Sequence, residues 1–336
     1  MSASLLMDAL IVLLLVGLAG WTVMVRDGFA SIAGFVAFGV MLMLAWFRLR
    51  SPDVALTEGA IATGLSGIVL FSAQARVDRR ARMNGSARMD EDLRASNAPR
   101  DSAAMDPDHP GVAVRAAVAL LSVVVTIMLA LVVIHAVEPA PSLSAKAAAD
   151  LPALGLGNAV NGVLLGFRAL DTLLEKVVVF LATVGIWSLA HDRAWLRAPV
   201  IAAEPRHGAI TLLARVLTPF GVIFAFYLLW NGADHPGGAF AAAAVLAAMW
   251  LLTAMAGLTR LPSIASHRLR VAIVVGPVAF IAVAFLGIVV AGAFLAYPEA
   301  WAKALIIVVE IPLTISVAVM LTLLVAGPPA ESSAPC

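Results

Sequence analysis

Four charged residues fall within nine positions of an otherwise apolar stretch, in the run Phe167-Arg168-Ala169-Leu170-Asp171-Thr172-Leu173-Leu174-Glu175-Lys176. On a helix, Asn161, Arg168, Asp171 and Glu175 follow one another by seven, three and four positions, so they share one face. Each charge near hydrocarbon costs roughly 2.5–3.5 kcal/mol on insertion scales, so such a stripe needs a buried partner or an aqueous path. Two more acids stand in comparable surroundings. Glu58 lies about 1.5 turns beyond the residues that open its apolar run, too deep for a capping role. Glu310 lies near the middle of another run, two residues before Pro312, with Lys303 seven residues earlier on the same face. An acid held away from water is costly as an anion, so losing a proton and gaining a cation compete at one place. Proton or cation movement is the chemistry these residues suit.

Each candidate also has a plainer reading. Ser51-Pro52-Asp53 matches ordinary helix-start signals, with Ser as cap, Pro at the first helical position and Asp in the first turn. Thr172-Leu173-Leu174-Glu175 fits a capping box, which would start a helix at 172 and leave Asp171 outside it. Ala159 to Leu170 is equally helix-compatible and would put the charges inside a longer or broken helix; periodicity does not decide between the two. Asn231 to Phe240, with Pro236, Gly237 and Gly238, is a tight turn by composition. Gly276-Pro277 reads as a helix irregularity, and Arg215 as a snorkelling surface charge.

Other chemistries find no footing. The six histidines lie in loops or at helix ends, never paired across helix interiors as haem ligation requires. There is no phosphate-binding glycine loop and no nucleophile elbow, so no enzyme activity, cofactor or resident metal is expected. The one cysteine, Cys336, supports neither a disulfide nor a cysteine metal site. With a net charge of +1 and no basic patch interleaved with aromatics, nucleic acid is not a partner.

The elements that must position these residues are membrane helices. The chain is 62% hydrophobic and 13% charged, against roughly 25% charged in a soluble domain. An all-α polytopic fold is expected because lipid cannot satisfy open backbone groups. Nine spans are predicted at 5–25, 29–47, 53–73, 112–136, 160–190, 209–230, 238–257, 271–296 and 302–326. The first is read as a span and not a cleavable leader, since nothing basic precedes it and Asp8 sits near its start. The polar stretch around 76–111 cannot build a core and is read as a disordered cytoplasmic linker. It divides the chain into segments 1–75, 112–200 and 201–327, with three, two and four spans and a tail at 328–336. A cytoplasmic linker places fifteen of the 22 Lys and Arg residues inside, with the N-terminus outside and the C-terminus cytoplasmic. Arg48 and Arg50 break that rule locally.

Three segments resemble components of the multisubunit cation/proton antiporters of the Mrp or Mnh type and of the related membrane-bound hydrogenases. Ser51 to Glu58 with Gly59 to Gly67 is similar to the hydrogenase-type D component, also found in the C-terminal part of the large antiporter A component. Asn161 with Phe167 to Glu175 is similar to the E component that follows it. Thr211 to Ala326, with the Asn231 to Phe240 turn and the Glu310 helix, is similar to the MnhB component of the antiporters. Ala239 and Ala241 to Ala244 stand where the family has glycines, and Lys176 departs from its pattern. The resemblance implies a subunit in the cell membrane of a prokaryote, partnered by other membrane subunits, exchanging Na+ or another monovalent cation for H+. Its ion or proton path would draw on Glu58, Asp171, Glu175, Glu310, Lys176, Asp53, Lys303 and Arg168, with Na+ held transiently at Asp171 and Glu175. The alternative is a structural or coupling component of a complex-I-like, redox-driven membrane arm.

Overall fold

A computed structural model describes residues 3–67, 70–71, 73–74, 112–135, 142–189, 198–199 and 208–328. The linker expected at 76–111 and residues 329–336 of the tail lie outside that set. Among the described residues the chain is all-α, with no β-strand, and each of the nine predicted segments is helical. Five helices are long and apolar enough to cross a membrane by themselves, which makes this a multi-pass membrane protein.

Helix α1 (Ala3–Met24) and α2 (Gly28–Arg48) form an antiparallel pair. Asp27 caps α2 by accepting from the Ala30 amide at 2.7 Å. Asp8 on α1 holds Arg48 at the far end of α2 at 2.8 Å. That pairing offsets one of the two basic residues that break the charge rule. Helix α3 (Pro52–Glu58) runs directly into a π turn at Gly59–Leu65, without the regular span expected from 53.

Helix α4 (Val112–Ile134), the apolar helix expected at 112–136, belongs to a separate compact unit of the chain. Its Ser122 and Thr126 hydroxyls donate to carbonyls four residues back, so its polar atoms stay satisfied without a partner. Helix α5 (Ser144–Asp150) follows and ends in the 3-10 turn Leu151–Leu154.

The predicted span at 160–190 is broken. A single α turn, α6 (Ala159–Asn161), passes into a π turn at Gly162–Phe167, and Arg168 leaves helical geometry at φ −125° and ψ 36°. Helix α7 (Ala169–Ser188) then starts afresh. The four C-terminal helices are α8 (Gly208–Asn231), α9 (Ala239–Met255), α10 (His267–Ala291) and α11 (Ala302–Ala326). Helix α9 packs between α8 and α11, and it also receives α3 and the π turn that follows α3. Helix α10 packs on α11, and α7 lies against both. Ala241 to Ala244 are buried in these contacts, so alanine keeps the close helix approach expected of small residues.

The expected irregularity at Gly276-Pro277 is a packing site instead. Helix α10 runs through it, although Pro277 removes the amide that would bond the Ile273 carbonyl. The Ser316 hydroxyl on α11 donates to that carbonyl and restores the lost bond from across the interface.

Candidate functional site

Asn158 is the hub of the broken helix. It caps α6, its Oδ1 accepting from the amides of Val160 at 2.9 Å and Asn161 at 3.4 Å. Its Nδ2 faces three oxygens: Asp53 Oδ1 at 3.1 Å, the Gly232 carbonyl at 3.1 Å and the His235 carbonyl at 2.9 Å. Two amide hydrogens are thus shared among three acceptors. Asp53 Oδ1 also accepts from the Gly237 amide at 3.0 Å. The helix-start reading of Ser51 and Asp53 is therefore corrected. Pro52 does open α3, but Ser51 makes no side-chain cap, and the Asp53 carboxylate ties α3 to the α8–α9 turn.

The turn itself is bound from two sides. Gly157 and Asn158 donate their amides to the Ala233 carbonyl, each at 3.1 Å. Gly238 takes φ 97°, where an L side chain is strained, and a Cβ there would lie 3.2 Å from Glu310 Oε1. Glycine is required so that the acid can approach the first turn of α9.

Glu310 is 1% exposed. Its Oε1 accepts from the Ala239 amide at 3.2 Å, and its Oε2 from Asn161 Nδ2 at 3.4 Å. Gly238 has no side chain to cap α9, so Glu310 supplies that cap from α11 and meets the positive end of the α9 dipole. Among the described residues no basic group forms an ion pair with it. A static buried salt bridge is not what holds this acid.

These groups open onto a cavity of about 380 Å³ whose polar lining includes Asp53, Asn158, Asn161, Thr172, Glu175, Lys176 and Glu310. Lys176 is buried; its Nζ stands 4.1 Å from the centre of the Phe240 ring and 3.5 Å from Glu175 Oε2. The Glu175 side chain is half-exposed.

The remaining predicted residues lie elsewhere. Arg168 and Asp171 pair with each other on the surface, so Asp171 does not join Glu175 at the cavity. Glu58 is half-buried, outside the cavity lining, with no hydrogen-bond or ion-pair partner among the described residues. The shared face of Asn161, Arg168, Asp171 and Glu175 does not form. The π turn and the break at Arg168 put Asn161 in a different helical frame from the other three. Nor does Thr172 form a capping box: α7 has begun three residues earlier, and its hydroxyl donates at 2.6 Å to the Leu164 carbonyl that the break leaves free.

Lys303 Nζ contacts both carboxylate oxygens of Asp234 at 2.7 Å, holding the outer edge of the α8–α9 turn to the start of α11. The lysine hydrogen bond, against a smaller opposing effect of burial, holds the Asp234 carboxyl below the usual carboxylate range. A depressed native pKa stabilises the fold above the unfolded value of about 3.9, and that increment is lost as pH falls through the native value. The drop in melting temperature between pH 7 and pH 3 is thus expected to be smaller in Lys303→Met than in the parent, measured on detergent-solubilised protein. An equal drop in both would show that the pair contributes nothing.

Sequence reasoning missed three participants. Asn158 carried a signal, since Asn before a helical run is a cap. Phe240 and Tyr297 carried none. The Tyr297 hydroxyl is buried without a hydrogen-bond partner among the described residues, and burial, then the charge of Glu310, pushes its pKa up to about 12.

Comparisons with known proteins agree with this architecture. Residues 209–327 match the family model described as a domain related to the MnhB subunit of Na+/H+ antiporter, and residues 13–79 match the model for the D component of MBH. The chain joins these two kinds of segment in one polypeptide. The solved Mrp complex from Dietzia sp. DQ12-45-1b contains a similar chain, at 24% identity and a TM-score of 0.66. The match covers 97% of this chain but only 35% of that one, so the present chain spans about a third of its relative's length. The archaeal membrane-bound sulfane sulfur reductase contains a second, at 22% identity and a TM-score of 0.49, covering 63% of this chain and 96% of that one. No curated protein matches the chain.

Proposed function

We propose that this chain is a membrane subunit of a multisubunit monovalent-cation (Na+)/proton antiporter in a prokaryotic cell membrane, working with other membrane subunits. Its contribution is the cavity at the broken helix, where Glu310 is the central proton- or cation-exchanging acid, with Asp53 and Glu175 on the walls. The observation that carries this reading is the bonding of Glu310. A fully buried carboxylate is satisfied by one backbone amide and one side-chain amide, faces a polar cavity and lacks an ion-pair partner among the described residues. Such an acid can change charge without breaking a salt bridge. The MnhB-related match at 209–327 supports the assignment, since it contains both Glu310 and the turn that Glu310 caps. Glu58, Asp171, Arg168 and Lys303 lie outside the cavity and are not assigned to its path.

Glu310→Gln tests the reading. Gln keeps the shape and one accepting oxygen but removes the charge. In everted vesicles, with assembly verified on a native gel, Na+/H+ exchange is expected to fall at least about tenfold, roughly 1.4 kcal/mol of lost coupling. Exchange at the parent rate in an intact complex would remove Glu310 from the path. The proposed topology, with the N-terminus outside and the C-terminus cytoplasmic, has its own test. A membrane-impermeant thiol reagent should label Cys336 in everted vesicles and spare it in intact cells. The reverse pattern would invert the orientation.

A further inference from the structure

Lys176 is a poor structural lysine. A buried ammonium carries three donors and a large desolvation cost, and one kept for stability is held by short, complete hydrogen bonds. Here Nζ has a single carboxylate oxygen at 3.5 Å, from a side chain that is itself half-exposed, and the face of Phe240 at 4.1 Å. Around it the cavity offers oxygen groups from four helical segments: Asp53 from α3, Asn161 from α6, Thr172 and Glu175 from α7, and Glu310 from α11. Oxygen-lined polar sites of this kind suit hard cations. The ammonium is a compact charge on a flexible stem, so it can move by several ångströms without moving α7.

We propose that Lys176 is a tethered resident cation: its ammonium holds the cation position of the cavity, and the transported monovalent ion enters by displacing it. The inference rests on the antiporter reading above. It adds a specificity-determining residue and a reason for the cavity's composition. Three carboxylates face one tethered positive charge, so an incoming monovalent ion competes with the lysine instead of adding to it. Glu175, at the half-exposed edge and already nearest to Nζ, is where the displaced ammonium is parked. Phe240 holds the resident position by its ring face, which attracts a cation without offering it a hydrogen bond.

The test separates KM from Vmax for Na+ in vesicles containing the whole assembled complex. Lys176→Met keeps length and burial and removes the competitor, so the KM for Na+ is expected to fall on the order of tenfold. Lys176→Arg retains a charge and should leave KM within about twofold of the parent. Phe240→Leu weakens the resident position and should lower KM in the same direction by a smaller factor, about threefold. A KM in Lys176→Met equal to the parent's overturns the proposal. So does a fall in Vmax alone, or Lys176→Arg behaving like Lys176→Met. If Lys176→Met does not assemble, Phe240→Leu decides: a lowered KM supports displacement and an unchanged KM overturns it. Glu310→Gln keeps the two ideas apart. Exchange lost there with KM unmoved in the Lys176 variants removes only the tethered cation, whereas exchange intact there removes the reading beneath it.

Discussion

Asn158→Ala is expected to destabilise the protein by about 2–5 kcal/mol and to leave little assembled complex in the membrane. Loss of the α6 cap accounts for roughly 0.5–2 kcal/mol. The rest comes from acceptors left behind. The His235 carbonyl loses the amide that reaches it at 2.9 Å, while Asp53 keeps only the Gly237 amide and the Gly232 carbonyl only Asn161. A buried acceptor without a donor costs about 1–3 kcal/mol. Against a typical domain stability of about 5–15 kcal/mol, the sum is large. The substitution series separates the two roles. Asn158→Ser restores a cap but cannot span to the turn, so it should fall between the parent and alanine. Asn158→Asp is as good a cap as Asn, yet it puts a second carboxylate against Asp53 and two carbonyls and should be worse than alanine. Melting temperatures of the detergent-solubilised complex would check the order. An Asp variant as stable as the parent would show that the tie to the turn contributes nothing.

Gly276→Val is the second large effect, at about 3 kcal/mol or more. A Cβ at Gly276 would lie 2.7 Å from Ser316 Cβ, 2.9 Å from Leu313 Cα and 3.0 Å from the Pro312 carbonyl. Two of these are backbone atoms of α11, which cannot rotate away, so α10 and α11 must separate. Overpacking of this kind costs about 1–3 kcal/mol. Separation also withdraws the Ser316 hydroxyl from the Ile273 carbonyl, which Pro277 leaves without a helical partner. That adds the cost of a buried orphan, about 1–3 kcal/mol. Glu310 lies two residues before Pro312, so the same displacement should lower exchange beyond what reduced protein level explains. Gly185→Ala is the control. Nothing lies within 4 Å of a Cβ there, and helix propensity should make it neutral or stabilising by up to about 1 kcal/mol. Equal melting temperatures for the valine variant and the parent would refute the close contact.

Much of the fold was legible in the chain because one rule dominates it. Hydrocarbon leaves backbone groups no partner but their own helix, so apolar runs and helices coincide. The ends of α1, α2, α9 and α11 fall within a few residues of the expected spans. Glu310 was legible for a related reason, since an acid in the middle of such a run has few innocent explanations. The turn before α9 was legible from its glycines and proline.

Tertiary structure decided what these residues touch. Periodicity fixes angles between side chains only while one helix continues, and the π turn at Gly162–Phe167 ends that continuity. It also leaves the absolute rotation of a helix open. Helix α7 buries Ala169, Thr172, Leu173 and Lys176 on one face, which turns Asp171 and half of Glu175 outward, although the acids were the obvious candidates for burial. Asp53 looked like a helix-start acid because local sequence cannot show a partner 105 residues away. The sequence by itself determined that this is a helical membrane protein with isolated acids at depth. Only the packing of α3, α6, α7, α9 and α11 decided which of them share one cavity, because side-chain bonds across helices depend on rotation and register that no single helix encodes.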